Sequence, residues 1–161
     1  MEMSLGLAGT NIYTWLDGEP AAITPSWLKQ WMIHGLRDGN FTPKRMVGEP
    51  RPVYYTYKLI IDKLGKFSSV ETLKNKNSRI KAYKFIVNDR PIYVKWYEDE
   101  IHDKPGEKEG SITIDASSII GKSKVKITHI VTKKGQAEPD IEFSSSSKIT
   151  LTKTPIFIEE M

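Results

Sequence analysis

The sequence contains no cysteine, which excludes disulfides, thiolate metal sites and a cysteine nucleophile. It has no apolar run near the ~18 residues of a membrane span. Met1 to Thr10 carries neither the basic start nor the apolar stretch of a signal peptide. As written it reads as a cytoplasmic chain with no membrane partner. A one-sided charge is missing too. Lys and Arg outnumber Asp and Glu by 24 to 20, but the surplus is spread: seven basic and six acidic side chains precede Gly65, and seventeen and fourteen follow. With no basic-aromatic stretch to gather it, nucleic acid is not an expected partner. No Gly-rich phosphate loop and no nucleophile-elbow serine occur, so no cofactor is expected. The three histidines, His34, His102 and His129, lack the short spacings of a zinc site, and no metal site is expected. At 161 residues the chain is also too short for a complete (β/α)8 barrel of about 250 residues.

What is present is material for a core: 39% apolar residues, including four Trp, seven Tyr and five Phe. The hydrophobic period changes near residue 65. Thr24-Pro25-Ser26 gives helix-start chemistry, and Trp27, Leu28, Trp31 and Met32 recur at helical spacing up to Gly35. Thr42 to Pro50 reads as a loop. Pro52 then opens a second helix, with Val53, Tyr57, Ile60, Ile61 and Leu64 on one face and Gly65 placed as a left-handed C-cap. From Ile80 the period is two. Tyr83, Phe85 and Val87, the turn-forming Asn88 to Pro91, then Ile92, Val94 and Trp96 spell a hairpin. Further strands read at Ser111–Asp115, Lys124–Thr132, Ile141–Phe143, Lys148–Thr152 and Pro155–Glu159, with Glu98 to Gly110 as a long loop and Ser144 to Ser147 as a turn. The expected fold is mainly β with N-terminal helices: an antiparallel β-sandwich of about seven to eight strands, packed with one or two helices. The division is residues 1–66, helical and loop-like, and 67–161, all-β.

Two segments carry a family resemblance: Gly35-Leu36-Arg37-Asp38-Gly39-Asn40-Phe41, and Arg51-Pro52-Val53-Tyr54-Tyr55-Thr56-Tyr57-Lys58. They resemble the end of the catalytic barrel in retaining glycoside hydrolases of the cellulase and β-xylosidase-like clan, where an "LRDG" or "LKDG" loop precedes a "KPAYYAYK" helix. The Tyr83–Trp96 hairpin, Val125 to Thr132 and the closing Ile149 to Glu159 are similar to the small all-β domain that follows that barrel. The resemblance covers roughly residues 31 to 161; residues 1 to 30 lie outside it, and the Thr42–Arg51 loop is longer than the family's. It would make Trp31 to Leu36 a barrel strand. A lone barrel strand leaves its backbone groups unpaired, so a helix is expected there instead. The family's two catalytic carboxylates lie on barrel strands four and seven, ahead of the matching segment. The resemblance therefore implies a noncatalytic C-terminal accessory domain or fragment, inactive alone, with a structural or interaction role. The alternatives are a carbohydrate-binding module and a subunit completing a split glycosidase. The corresponding partners are a polysaccharide, a glycosidase barrel chain, or a second copy.

No catalytic residue emerges from the residues themselves. Glu98, Asp99 and Glu100 are adjacent, which suits a solvated loop better than two carboxyl groups facing a sugar ~5–5.5 Å apart or wider. Asp38 fits a turn-positioning role. Asn40-Phe41-Thr42 matches a glycosylation sequon, which has little weight without an export signal. His129 shares a strand face with Val125, Ile127 and Val131 and is expected to be half-buried and hydrogen-bonded. Tyr93 and Tyr97 share a face with Lys95, opposite Ile92, Val94 and Trp96. If outward, they are the candidate carbohydrate-stacking residues; the competing reading packs that face on a missing barrel or on the Pro52–Leu64 helix.

Overall fold

The computed structural model describes residues 41–42, 45–46, 50–98 and 109–161. The Thr24–Gly35 helix, the Trp27–Trp31 pair, Asp38, Asn40, His34, Asp99, Glu100 and His102 lie outside the described residues. The stretch expected as a loop, Thr42 to Pro50, takes part in a two-residue ladder: β1 (Phe41–Thr42) pairs antiparallel with β2 (Arg45–Met46).

Helix α1 (Pro52–Leu64) begins as its sequence requires, with Pro52 in the first turn and Arg51 in extended conformation ahead of it. Its end differs from expectation. Gly65 has φ −60° and is right-handed, so glycine serves closeness rather than handedness: a Cβ there would lie 2.5 Å from Ile61 O. The docked stripe is also rotated from the expected one, to Thr56, Leu59, Ile60, Lys63 and Leu64. Leu59 and Leu64 are buried while Ile61 is 66% exposed. Each buried leucine contributes ~1.5–3 kcal/mol as an upper bound.

Eight strands follow in two antiparallel sheets. Six strands, β3 (Phe67–Thr72), β4 (Ile80–Val87), β5 (Arg90–Tyr97), β7 (Lys124–His129), β8 (Ile141–Ser145) and β10 (Ile156–Glu160), lie in the order β3-β4-β5-β10-β7-β8. β6 (Ser111–Ile114) and β9 (Ile149–Thr152) form a separate ribbon. The fold is thus the expected mainly-β arrangement of two antiparallel sheets and a packed helix. β3 was not anticipated, since its sequence Phe-Ser-Ser-Val-Glu-Thr carries little apolar alternation. The β4–β5 hairpin turns on two residues, Asn88 (φ 49°) and Asp89 (φ 61°). Positive φ at both centres matches the right-handed twist of the flanking strands.

The large sheet is covered on both faces. On one, Leu59 and Leu64 of α1 pack with Phe85, Ile92, Val94 and Phe157, and Thr56 places its hydroxyl 3.3 Å from Val131 O. On the other, Ile149 and Leu151 of the ribbon, with Ala116 and Ile120, pack on Ile80, Tyr93, Val125, Ile127, Ile156 and Ile158. Trp96 lies on the α1 face with Ile92 and Val94; where full burial is expected beside them it is only partly buried, with its ring stacked on Tyr83 at 5.6 Å.

Candidate functional site

The two tyrosines read as a stacking platform occupy other positions. Tyr93 lies on β5 beneath the ribbon and is 2% exposed, and Tyr97, partly buried, packs against the same core. The outward reading is corrected and the packed one holds, with a different cover: alternation puts both on one face, and the β6–β9 ribbon lies over it. Neither α1 nor a missing barrel does so, because α1 sits on the opposite side with Ile92 and Val94. The Tyr93 hydroxyl lies 3.1 Å from Ile119 O and 3.3 Å from Glu160 Oε1. Burial, then the Glu160 charge, push its pKa up to about 12.

Between these two residues on β5 is Lys95, which nothing in the sequence separated from its neighbours. It pairs with Ala82 of β4 and Ile156 of β10 and is fully buried. Its Nζ lies 5.9 Å from the Tyr93 ring centroid and has no hydrogen-bond partner among the described residues. Burial pushes this amine below the ordinary lysine range, because an apolar surrounding disfavours the charged form.

The polar concavity lies at one end of the sheet, where β7, β8 and the segment before β10 meet. It is a cleft of about 470 Å3, with His129, Asp140, Glu142, Glu109 and Thr154 in its lining. β7 delivers His129, and the pairing with β8 sets Glu142 beside it, Nε2 to Oε2 at 3.4 Å. His129 is half-buried, as its strand face predicted. The Thr154 hydroxyl donates to the Glu109 carboxylate, 3.1 and 3.2 Å from its two oxygens. No local signal marks Glu109 and Thr154, which meet from 45 residues apart.

Such a lining offers carboxylate acceptors and hydroxyl and imidazole donors at an open surface. The side chains of the His129–Glu142 pair are 37% and 57% exposed, and solvent at such a site holds an ion pair to ~0–1 kcal/mol. Glu98, of the adjacent acids, is exposed and pairs with Lys81 at 3.4 Å. Among the described residues no three His, Asp or Glu side chains are grouped to hold a metal ion, and no helix is long and apolar enough to cross a membrane. No family model, curated protein or solved structure matches this chain.

Proposed function

We propose that this chain is a noncatalytic accessory domain acting through protein interaction, of the kind that follows the barrel in the glycoside hydrolases its sequence resembles. The observation that carries the reading is the outer side of α1. One stripe of the helix docks on the sheet, and next to it Val53, Tyr57 and Ile61 form a ridge at four-residue spacing. Val53 is 40% and Ile61 66% exposed. A surface helix ordinarily turns polar residues to solvent, so an apolar ridge outside its docked stripe calls for a second surface. In the resembled architecture the corresponding helix packs among barrel neighbours.

The test is sedimentation of the full chain with a clan glycosidase barrel stripped of its own β domain. Co-sedimentation that Ile61→Lys abolishes without lowering the melting temperature is the expected result. Failure of the wild-type chain to bind, or binding indifferent to Ile61→Lys, sinks the reading.

The cleft favours a second reading, sugar binding, since its acceptors and donors suit hydroxyls. It predicts retardation in a polysaccharide affinity gel that Glu109→Gln with Glu142→Gln removes. Equal mobility with and without polysaccharide would dispose of it.

A further inference from the structure

We infer that β8, an edge of the six-stranded sheet left open among the described residues, pairs antiparallel with β8 of a second copy about a two-fold axis at Phe143. This goes beyond the role given to α1, and the two surfaces can fail separately. The two edges of the sheet are built differently. β3 has a register shift between Phe67 and Ser69 and leaves Ser68, Ser69, Glu71 and Thr72 exposed. Irregularity and polar side chains of this sort blunt an edge against pairing. β8 keeps regular register with β7 over all five residues and carries Ile141 and Phe143, 51% and 66% exposed. Met161, 60% exposed, lines a groove of about 550 Å3 together with Phe143.

Hydrogen-bond parity restricts the register, and the side chains then choose within it. The His129 N–H donates to Asp140 O and the Ser146 N–H to Ser123 O, each at 2.9 Å. In an antiparallel ladder bonded pairs alternate, so the even-numbered residues of β8 bond inward to β7. Ile141 and Phe143 therefore direct their backbone groups to the open edge. A two-fold at Phe143 lets each Phe143 N–H donate to the other copy's Phe143 carbonyl. It sets Glu142 opposite Ser144 and Ile141 opposite Ser145, so no like charges face each other. Moving the axis one residue, to Glu142, would oppose two carboxylates. The occupant is a second copy because the strand complements itself in this register, as an isologous contact requires.

Sedimentation velocity over a concentration series tests the pairing, with the full chain as wild type, Phe143→Lys and Ile61→Lys. Wild type and Ile61→Lys should shift from monomer to dimer as concentration rises, and Phe143→Lys should remain monomeric with an unchanged circular dichroism spectrum. The cysteine-free background permits a second measurement: Phe143→Cys should couple to itself with a short bismaleimide, and Thr113→Cys on β6 should not. A wild-type monomer at every concentration overturns the proposal, as does a dimer that survives Phe143→Lys. Should Phe143→Lys disturb the fold, the crosslink decides, and its absence at residue 143 overturns the pairing. A dimer dissolved only by Ile61→Lys assigns association to α1 and overturns the β8 contact while leaving the α1 reading intact.

Discussion

Two buried polar atoms lack hydrogen bonds among the described residues, Lys95 Nζ and Thr128 Oγ1, and they lie on opposite faces of the sheet. Thr128 pairs with Phe157 on the α1 face. Its hydroxyl has surrendered water without compensation, so Thr128→Val should stabilise the fold by about 1 kcal/mol, read from the denaturant midpoint; a lowered midpoint would mean that the hydroxyl has a partner. Lys95 adds a pH dependence. Its folded-state pKa is lowered, so the unfolded chain binds the extra proton. Stability therefore falls as pH drops from the ordinary lysine value, about 10.4, to the depressed one, and the full penalty persists below that. Tyr93 acts in the opposite sense at the alkaline end. Its pKa, raised to about 12, makes stability fall as pH rises from about 10. By register the ionisable groups of the six-stranded sheet on the same face as Lys95 are Tyr93, Tyr97, Lys84, Glu71, Glu160, His129 and Glu142. Lys95→Met should raise the melting temperature most at acidic and neutral pH and least near pH 10, leaving the Tyr93 loss in place. A variant that melts at or below the wild type at neutral pH would show the amine to be compensated.

At the scale of elements, the β4–β5 hairpin shows what a sequence can carry. Its strands and turn were legible because alternating apolar residues flank Asn88 and Asp89, residues that tolerate the left-handed region. Even so, Asp89 holds φ 61° with a side chain. A left-handed L-residue costs ~1–2 kcal/mol, partly offset by the ~0.5–1 kcal/mol that glycine loses in entropy. Asp89→Gly is therefore expected to stabilise the hairpin by about 0.5–1 kcal/mol, as a rise in melting temperature; a fall would place the strain elsewhere. The faces of β5 were only half legible. Alternation separates Ile92, Val94 and Trp96 from Tyr93, Lys95 and Tyr97, but it cannot say that both sets are covered. That depends on the β6–β9 ribbon, joined to β5 by no local signal. The cleft was illegible for the same reason: His129 was visible on its strand, whereas Glu109, Glu142 and Thr154 reach it only through strand pairing. On α1, the sequence marked Pro52 and Gly65 but put the docked stripe too far toward Ile61, because an apolar ridge for solvent or a partner reads the same as one for the core.

In the whole molecule the last strand in sequence is central in space. β10 lies between β5 and β7, pairing with both. Ile156, Phe157 and Ile158 are 3%, 2% and 0% exposed, an apolar run that suits a strand covered on both faces. Phe157 enters the α1-side core, while Ile156 and Ile158 enter the ribbon-side core. Lys63 of α1 and Glu159 of β10 form an ion pair that also ties the helix to this strand. Without β10 the sheet is two separate pieces, β3-β4-β5 and β7-β8, and each core loses its centre. Neither piece can form the remaining contacts locally, since the partners of β10 are far apart in sequence and its pairing closes long loops. A chain ending at Pro155 should therefore lose its cooperative thermal transition altogether. Phe157→Ala and Ile158→Ala, though on opposite faces, should each destabilise α1 and the hairpin together, by roughly 3–5 and 2–5 kcal/mol respectively. Amide hydrogen exchange distinguishes one cooperative unit from two. Equal loss of protection in α1, β4 and β7 for either variant is expected, whereas protection retained in the β4–β5 hairpin after truncation at Pro155 would show that the hairpin and helix fold without the strand that joins the halves.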